Sequence, residues 1–146
     1  MRNVLALAAA AFLVALLGCS AGPHSPAGFR LPEGNAERGK ALFVSLGCST
    51  CHEMAGSDLP KPTVRPTVPV VLGGTVDYGF SDGYLVTSII NPSHEYAAYP
   101  KSQIMENGHS RMPSYADRLT VRELTDLVTY LQSQYRLRQV MPQSYF

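Results

Sequence analysis

The chain is predicted to fold as a single all-α domain behind a leader that the folded protein does not keep. Three observations carry that prediction. Three stretches repeat apolar residues at steps of three and four, and each carries a helix-capping residue at its start. Between the first and second of them, residues 54–79 hold Pro60, Pro62, Pro66 and Pro69 with Gly56, Gly73, Gly74 and Gly79, and read as one long loop. The first eighteen residues are an apolar leader that takes part of the 45% hydrophobic content away from the core, and the remainder of the 146 residues supports one domain.

In the leader, Arg2 is followed by an uncharged run from Val4 to Gly18, rich in Ala and Leu. It is too short to span a bilayer and has no positive flank on its far side, so residues 1–18 read as a secretory signal peptide. Its end, Leu16-Leu17-Gly18-Cys19, resembles the lipobox of bacterial lipoproteins, which implies that Cys19 becomes a lipidated N-terminus. Several acyl chains on one residue suffice for stable anchoring. The alternative is an ordinary cut near Gly18 that leaves Cys19 as a stray exported thiol. Residues 19–34 are rich in Gly, Pro and Ser without apolar periodicity and read as a flexible tether, with His24 a solvated residue in it.

Asn35 caps a predicted helix to about Leu46, in which Ala36, Gly39, Leu42, Phe43 and Leu46 recur at helical steps. Gly39 is costly inside a helix, so a close approach of another backbone is expected there. The helix stops at Gly47 and delivers Cys48-Ser49-Thr50-Cys51-His52. A C-x-x-C-H run reads as the attachment point of a c-type haem: Cys48 and Cys51 each form a thioether to a porphyrin vinyl group, and His52 is placed as the proximal iron ligand. A zinc site would want a second pair of Cys or His ligands at matching spacing, and none exists. A thioredoxin-like dithiol would want a strand before it, where a helix is predicted.

Beyond the long loop, Ser81 or Asp82 caps a second helix through Tyr84, Leu85, Ser88 and Ile89, which Pro92 terminates after Asn91. Met105 falls in a helical turn over residues 101–107 and reads as packing, while His94 and His109 read as exposed loop residues. The last helix opens with a capping box, Thr120 with Glu123, and a hydrophobic staple, Leu119 with Leu124. Leu124, Leu127, Val128 and Leu131 then repeat along one face. The tail 136–146 reads as a surface or partner-docking segment.

Over residues 35–134 the chain resembles the class I cytochromes c. The resemblance rests on Gly39 and Phe43 before Cys48-x-x-Cys51-His52, on Pro69-Val70-Val71-Leu72-Gly73, on Tyr84-Leu85 with Ser88-Ile89 and Pro92, and on Met112-Pro113-Ser114-Tyr115. In one departure, Phe43 sits five residues before the first Cys where the mitochondrial type has four, which makes Gly47 an insertion in the turn. The resemblance implies a class I cytochrome c fold of three to five helices around one covalent haem c. It implies Met112 as the distal ligand, and a proline carbonyl, that of Pro69 with Pro66 competing, as acceptor for the His52 ring. It also implies a haem wall of Leu72, Tyr84, Leu85, Ile89 and Tyr115, and a last helix that crosses the first with Leu127 and Tyr130 against Gly39 and Phe43.

Without Arg2 the mature chain has eleven Lys plus Arg against eleven Asp plus Glu, and no basic run points to nucleic acid. The expected function is one-electron transfer on the periplasmic side of a bacterial membrane. The expected partners are redox proteins or a larger membrane complex, without a small-molecule substrate. A gas-binding or catalytic haem protein is the alternative. It requires that Met112 not ligate, because both rivals need an open sixth site.

Overall fold

The computed structural model describes residues 29–64 and 68–139. The leader, Cys19, most of the tether, Pro66 and residues 140–146 of the tail therefore lie outside the described residues.

Helix α1, Ala36–Ser45, begins where the Asn35 side chain accepts the Arg38 N–H at 2.9 Å. It ends at Leu46, and Gly47 at φ 76° turns the chain into a single 3-10 turn over Cys48–Thr50. Strand β1 is Gly74–Val76. Ser81 caps helix α2, Asp82–Ile90, by accepting the Tyr84 N–H at 3.2 Å. Helix α3 is the short Lys101–Ile104, and strands β2, Met105–Glu106, and β3, His109–Ser110, follow it. The expected capping box of Thr120 and Glu123 opens helix α4, Val121–Ser133, with both of its bonds present. Strand β4, Tyr135–Leu137, closes the described chain.

The core is built where α1 and α4 pack together. A methyl group on Gly39 would overlap the Asp126 carbonyl and stand 2.6 Å from Tyr130 Cβ, so glycine is what lets the two backbones meet. One turn on, the Phe43 and Tyr130 rings lie 5.8 Å apart at 58°. Leu127, Val128 and Leu131 are buried beside them, and Leu85 and Ile89 of α2 complete the cluster.

Two expectations are corrected. The fold is not purely helical: β1 and β4 pair in parallel, with Gly74 opposite Tyr135, and β2 and β3 form an antiparallel hairpin. In the hairpin, Asn107 at φ 50° and Gly108 at φ 82° form the two-residue turn, so Met105 leaves α3 as a strand residue instead of continuing a helical turn. Strand β4 runs into the tail 136–146, whose residues 136–139 are exposed: the Arg138 N–H donates to the Val76 carbonyl at 2.8 Å, and just before the tail the Tyr135 ring packs edge-on to Phe80 at 4.8 Å. At the other end, the tether is bound from Leu31 onward: its N–H donates to Asp82 Oδ2 at 2.8 Å, and its side chain packs on the core. No helix among the described residues is long and apolar enough to cross a membrane.

Candidate haem site

A cavity of about 980 Å³ opens between the end of α1, the residues Val64, Val68 and Val70, α2 and the segment from His94 to Tyr115. That is the upper end of the range of about 300–1,000 Å³ usual for cofactor and ligand sites. Cys48, Cys51, His52 and Met112 all line it, although sixty residues separate His52 from Met112. Neither cysteine is paired in a disulfide. Burial pushes the Cys48 thiol up from its ordinary pKa, and the neighbouring Tyr115 hydroxyl partly holds it back.

His52 is oriented by the backbone. Its Nδ1 lies 3.1 Å from the Val70 carbonyl oxygen. A carbonyl only accepts, so Nδ1 carries the proton and Nε2 keeps a free lone pair, the form of imidazole that binds metal. The acceptor is thus Val70 and not the expected Pro69, whose side chain does not reach the cavity wall. The reason is register. Leu72 pairs with Met54, its N–H donating to the Glu53 carbonyl and its C=O accepting from Ala55, both at 2.8 Å. In an extended chain alternate carbonyls point the same way, so Val70 faces His52 as Leu72 faces the Glu53–Ala55 segment, and Pro69 faces away.

The model of the family described as Cytochrome c matches residues 36–134, from the first residue of α1 to just past α4. The chain belongs to the cytochrome c family. Membership brings the class I fold, covalently bound haem c and haem-based electron transfer. No curated protein and no solved structure matched the chain.

The residues of this cytochrome fit a haem. Two cysteines, an imidazole with one uncommitted nitrogen and a methionine thioether border a cavity of suitable size. Among the described residues, no three His, Cys, Asp or Glu side chains gather as a site for a bare metal ion. The Asp, Glu, Lys and Arg side chains on the wall are, among the described residues, Glu95, Glu106 and Arg111.

The other expected wall residues divide. Tyr84 and Tyr115 line the cavity. Leu85 and Ile89 are buried on the face of α2 turned into the core, and their helix neighbours Val86, Thr87 and Ser88 take the wall positions. Leu72 packs on the core beside Met54. Among the other methionines, Met54 is 4% exposed inside the core, Met105 does not line the cavity, and Met141 lies outside the described residues. His94, expected as an exposed loop residue, is exposed but borders the cavity mouth, whereas His109 does not. Val68, at 8% exposed, and Val70 also went unforeseen, because nothing in a proline-rich loop marks which residues turn inward.

Proposed function

We propose that this cytochrome is a monohaem electron carrier, lipid-anchored through Cys19 on the periplasmic side of a bacterial membrane, serving or belonging to a respiratory or dehydrogenase complex. Cys48 and Cys51 would hold the porphyrin by thioethers, and His52 through Nε2 and Met112 through Sδ would hold its iron. Bound haem supplies an iron that accepts and returns one electron. The chain does the rest. The Val70 carbonyl fixes the plane and tautomer of His52. The thioether of Met112 would favour the ferrous state, and the apolar side chains of Leu46, Val64, Val68, Val70 and Val86 on the wall would help to tune the potential. With both residues as ligands, no site on the iron would be left for substrate.

The observation that supports this reading most is that Cys48, Cys51, His52 and Met112 border one cavity while Nδ1 of His52 is already engaged. The lipid anchor rests on Leu16-Leu17-Gly18-Cys19. Membership of a complex rests on the balance of eleven acidic and eleven basic residues in the mature chain, since a shuttle usually steers by charge.

The near-infrared spectrum of the ferric protein tests the ligation. A sulfur-to-iron charge-transfer band that Met112→Ala abolishes, in a wild type that refuses carbon monoxide when ferrous, is expected. Rapid carbon monoxide uptake with no such band replaces the carrier with a gas-binding or catalytic protein. Cys19→Ser is expected to release the protein from the membrane, and mild-detergent purification to retain its partner subunits.

A further inference from the structure

The segment Met112-Pro113-Ser114-Tyr115 is held from two sides. On one side it uses the end of α2, where carbonyls lack partners within the helix. The Tyr115 backbone N–H donates to the Ile89 carbonyl at 3.2 Å, and the Ser114 hydroxyl to the Ile90 carbonyl at 2.5 Å. On the other side, the Tyr115 phenol donates to the Leu46 carbonyl at 3.1 Å, sixty-nine positions away in sequence. Leu46 is the C-terminal cap of α1 and stands two residues before Cys48. Its carbonyl is another helix-end acceptor, so the phenol satisfies a group that the helix leaves open. The same hydroxyl also neighbours Cys48, so both of its contacts join the Met112 segment to the stretch from Leu46 to His52.

The phenol is also constrained from behind. Tyr115 is 7% exposed, the Arg118 guanidinium lies 5.7 Å from its ring centroid, and the Arg118 N–H donates to the Tyr115 carbonyl at 3.0 Å. A ring packed in this way has little freedom to swing, and the hydroxyl meets Leu46 with its entropy largely spent in advance.

We propose that Tyr115 is the latch of the Met112 segment: its hydroxyl ties the piece of chain that carries the distal thioether to the piece that carries Cys48, Cys51 and His52. Tyr115 is a positioning residue. It acts through Met112, and the strength of its bond to Leu46 sets how often Met112 leaves the iron and exposes the sixth position. This rests on Met112 being the distal ligand.

The test uses the haem-loaded protein and the rate at which imidazole displaces the sixth ligand of the ferric form, followed in the near-infrared sulfur-to-iron band. Tyr115→Phe removes one oxygen and keeps the buried ring. It is expected to retain the band at neutral pH and to speed displacement about three- to tenfold, the factor that one hydrogen bond is worth. Tyr130→Phe, which removes a phenol buried elsewhere in the core, is expected to leave that rate unchanged. Ser114→Ala, which cuts the bond to Ile90 and spares the phenol, is expected to speed displacement less than Tyr115→Phe. Equal rates in Tyr115→Phe and wild type overturn the latch alone. So does an equal acceleration in Tyr130→Phe, which would mean general loosening, or a larger one in Ser114→Ala. A wild type without the band overturns the ligation by Met112, and the latch with it.

Discussion

Arg38 closes on Asp126 across the α1–α4 packing, Nε to Oδ2 at 2.7 Å and Nη2 to Oδ1 at 3.0 Å, and the same Oδ1 accepts the Asn35 backbone N–H at 2.7 Å. The Asp126 side chain is 2% exposed while Arg38 is 58% exposed, so the arginine reaches in from the surface to a carboxylate that the helices have enclosed. Three donors on one carboxylate fasten the first turn of α1 to the middle of α4. The sulfur- and imidazole-bearing turn that α1 delivers to the cavity is thereby referenced to the last helix.

Acid should loosen that fastening. The Arg38 hydrogen bond and then the Asn35 N–H hold the Asp126 carboxyl below its ordinary value of 3.8. A depressed carboxyl contributes stability in full above its unfolded pKa and loses it as pH falls through the folded one. Asp82, through the Leu31 N–H and then Gln132, and Glu123, through Thr120, are shifted the same way. Tm is therefore expected to be flat from about pH 7 to pH 5 and to fall below about pH 4. Asp126→Asn should start from a lower Tm and show a shallower acid limb in thermal scans. An equally steep limb in that variant would remove Asp126 from the account.

Gly39→Ala sets two effects against each other. Alanine favours a helix interior over glycine by about 1 kcal/mol. The added methyl would overlap the Asp126 carbonyl and press on Tyr130 Cβ, and both belong to a packed helix that cannot step aside. Overpacking of this kind costs about 1–3 kcal/mol or more, so a net loss is expected. Urea denaturation of the haem-loaded protein measures it. A gain in stability would mean that α1 and α4 stand further apart than 2.6 Å from that methyl position implies.

The Tyr130 hydroxyl is buried and, among the described residues, has no hydrogen-bond partner. Such a group carries a desolvation cost with nothing to offset it. Tyr130→Phe keeps the ring against Phe43 and is expected to raise stability by up to about 1 kcal/mol. Calorimetry checks this, and a loss of similar size would point to a buried water on the oxygen.

Tyr135→Ala tests whether β4, which leads into the tail, is part of the folded unit. The Tyr135 ring packs on Phe80, which stacks on Tyr84 at 5.1 Å, and Tyr84 lines the cavity. Loss of the half-buried ring is expected to cost about 1–2 kcal/mol. Unfolding with urea, followed at the haem absorbance, reads both the stability and the cavity wall. A variant as stable as wild type would make β4 a passive extension.

The helices were legible because their signals are local. Asn35, Ser81 and the Thr120–Glu123 box each act within three residues, so the caps read from the chain are the caps found. The C-x-x-C-H run is local too, and so is the glycine that leaves room for a neighbouring backbone.

What escaped the sequence lies in groups with no side-chain signature. The acceptor for His52 is a backbone carbonyl, and whether residue 69 or 70 presents it depends on Leu72 pairing with Met54. The parallel pairing of Gly74–Val76 with Tyr135–Leu137 spans strands of three residues, too short for alternation to show, and joins segments about sixty residues apart. The same holds for α2: its residues make it a helix, but packing against α4 turned Leu85 and Ile89 into the core and left Tyr84 and Ser88 for the cavity. Caps and thiol spacing are written within one turn of chain. The direction of a carbonyl or of a helix face is chosen only when distant segments compete to bury apolar surface and to pair their backbone groups.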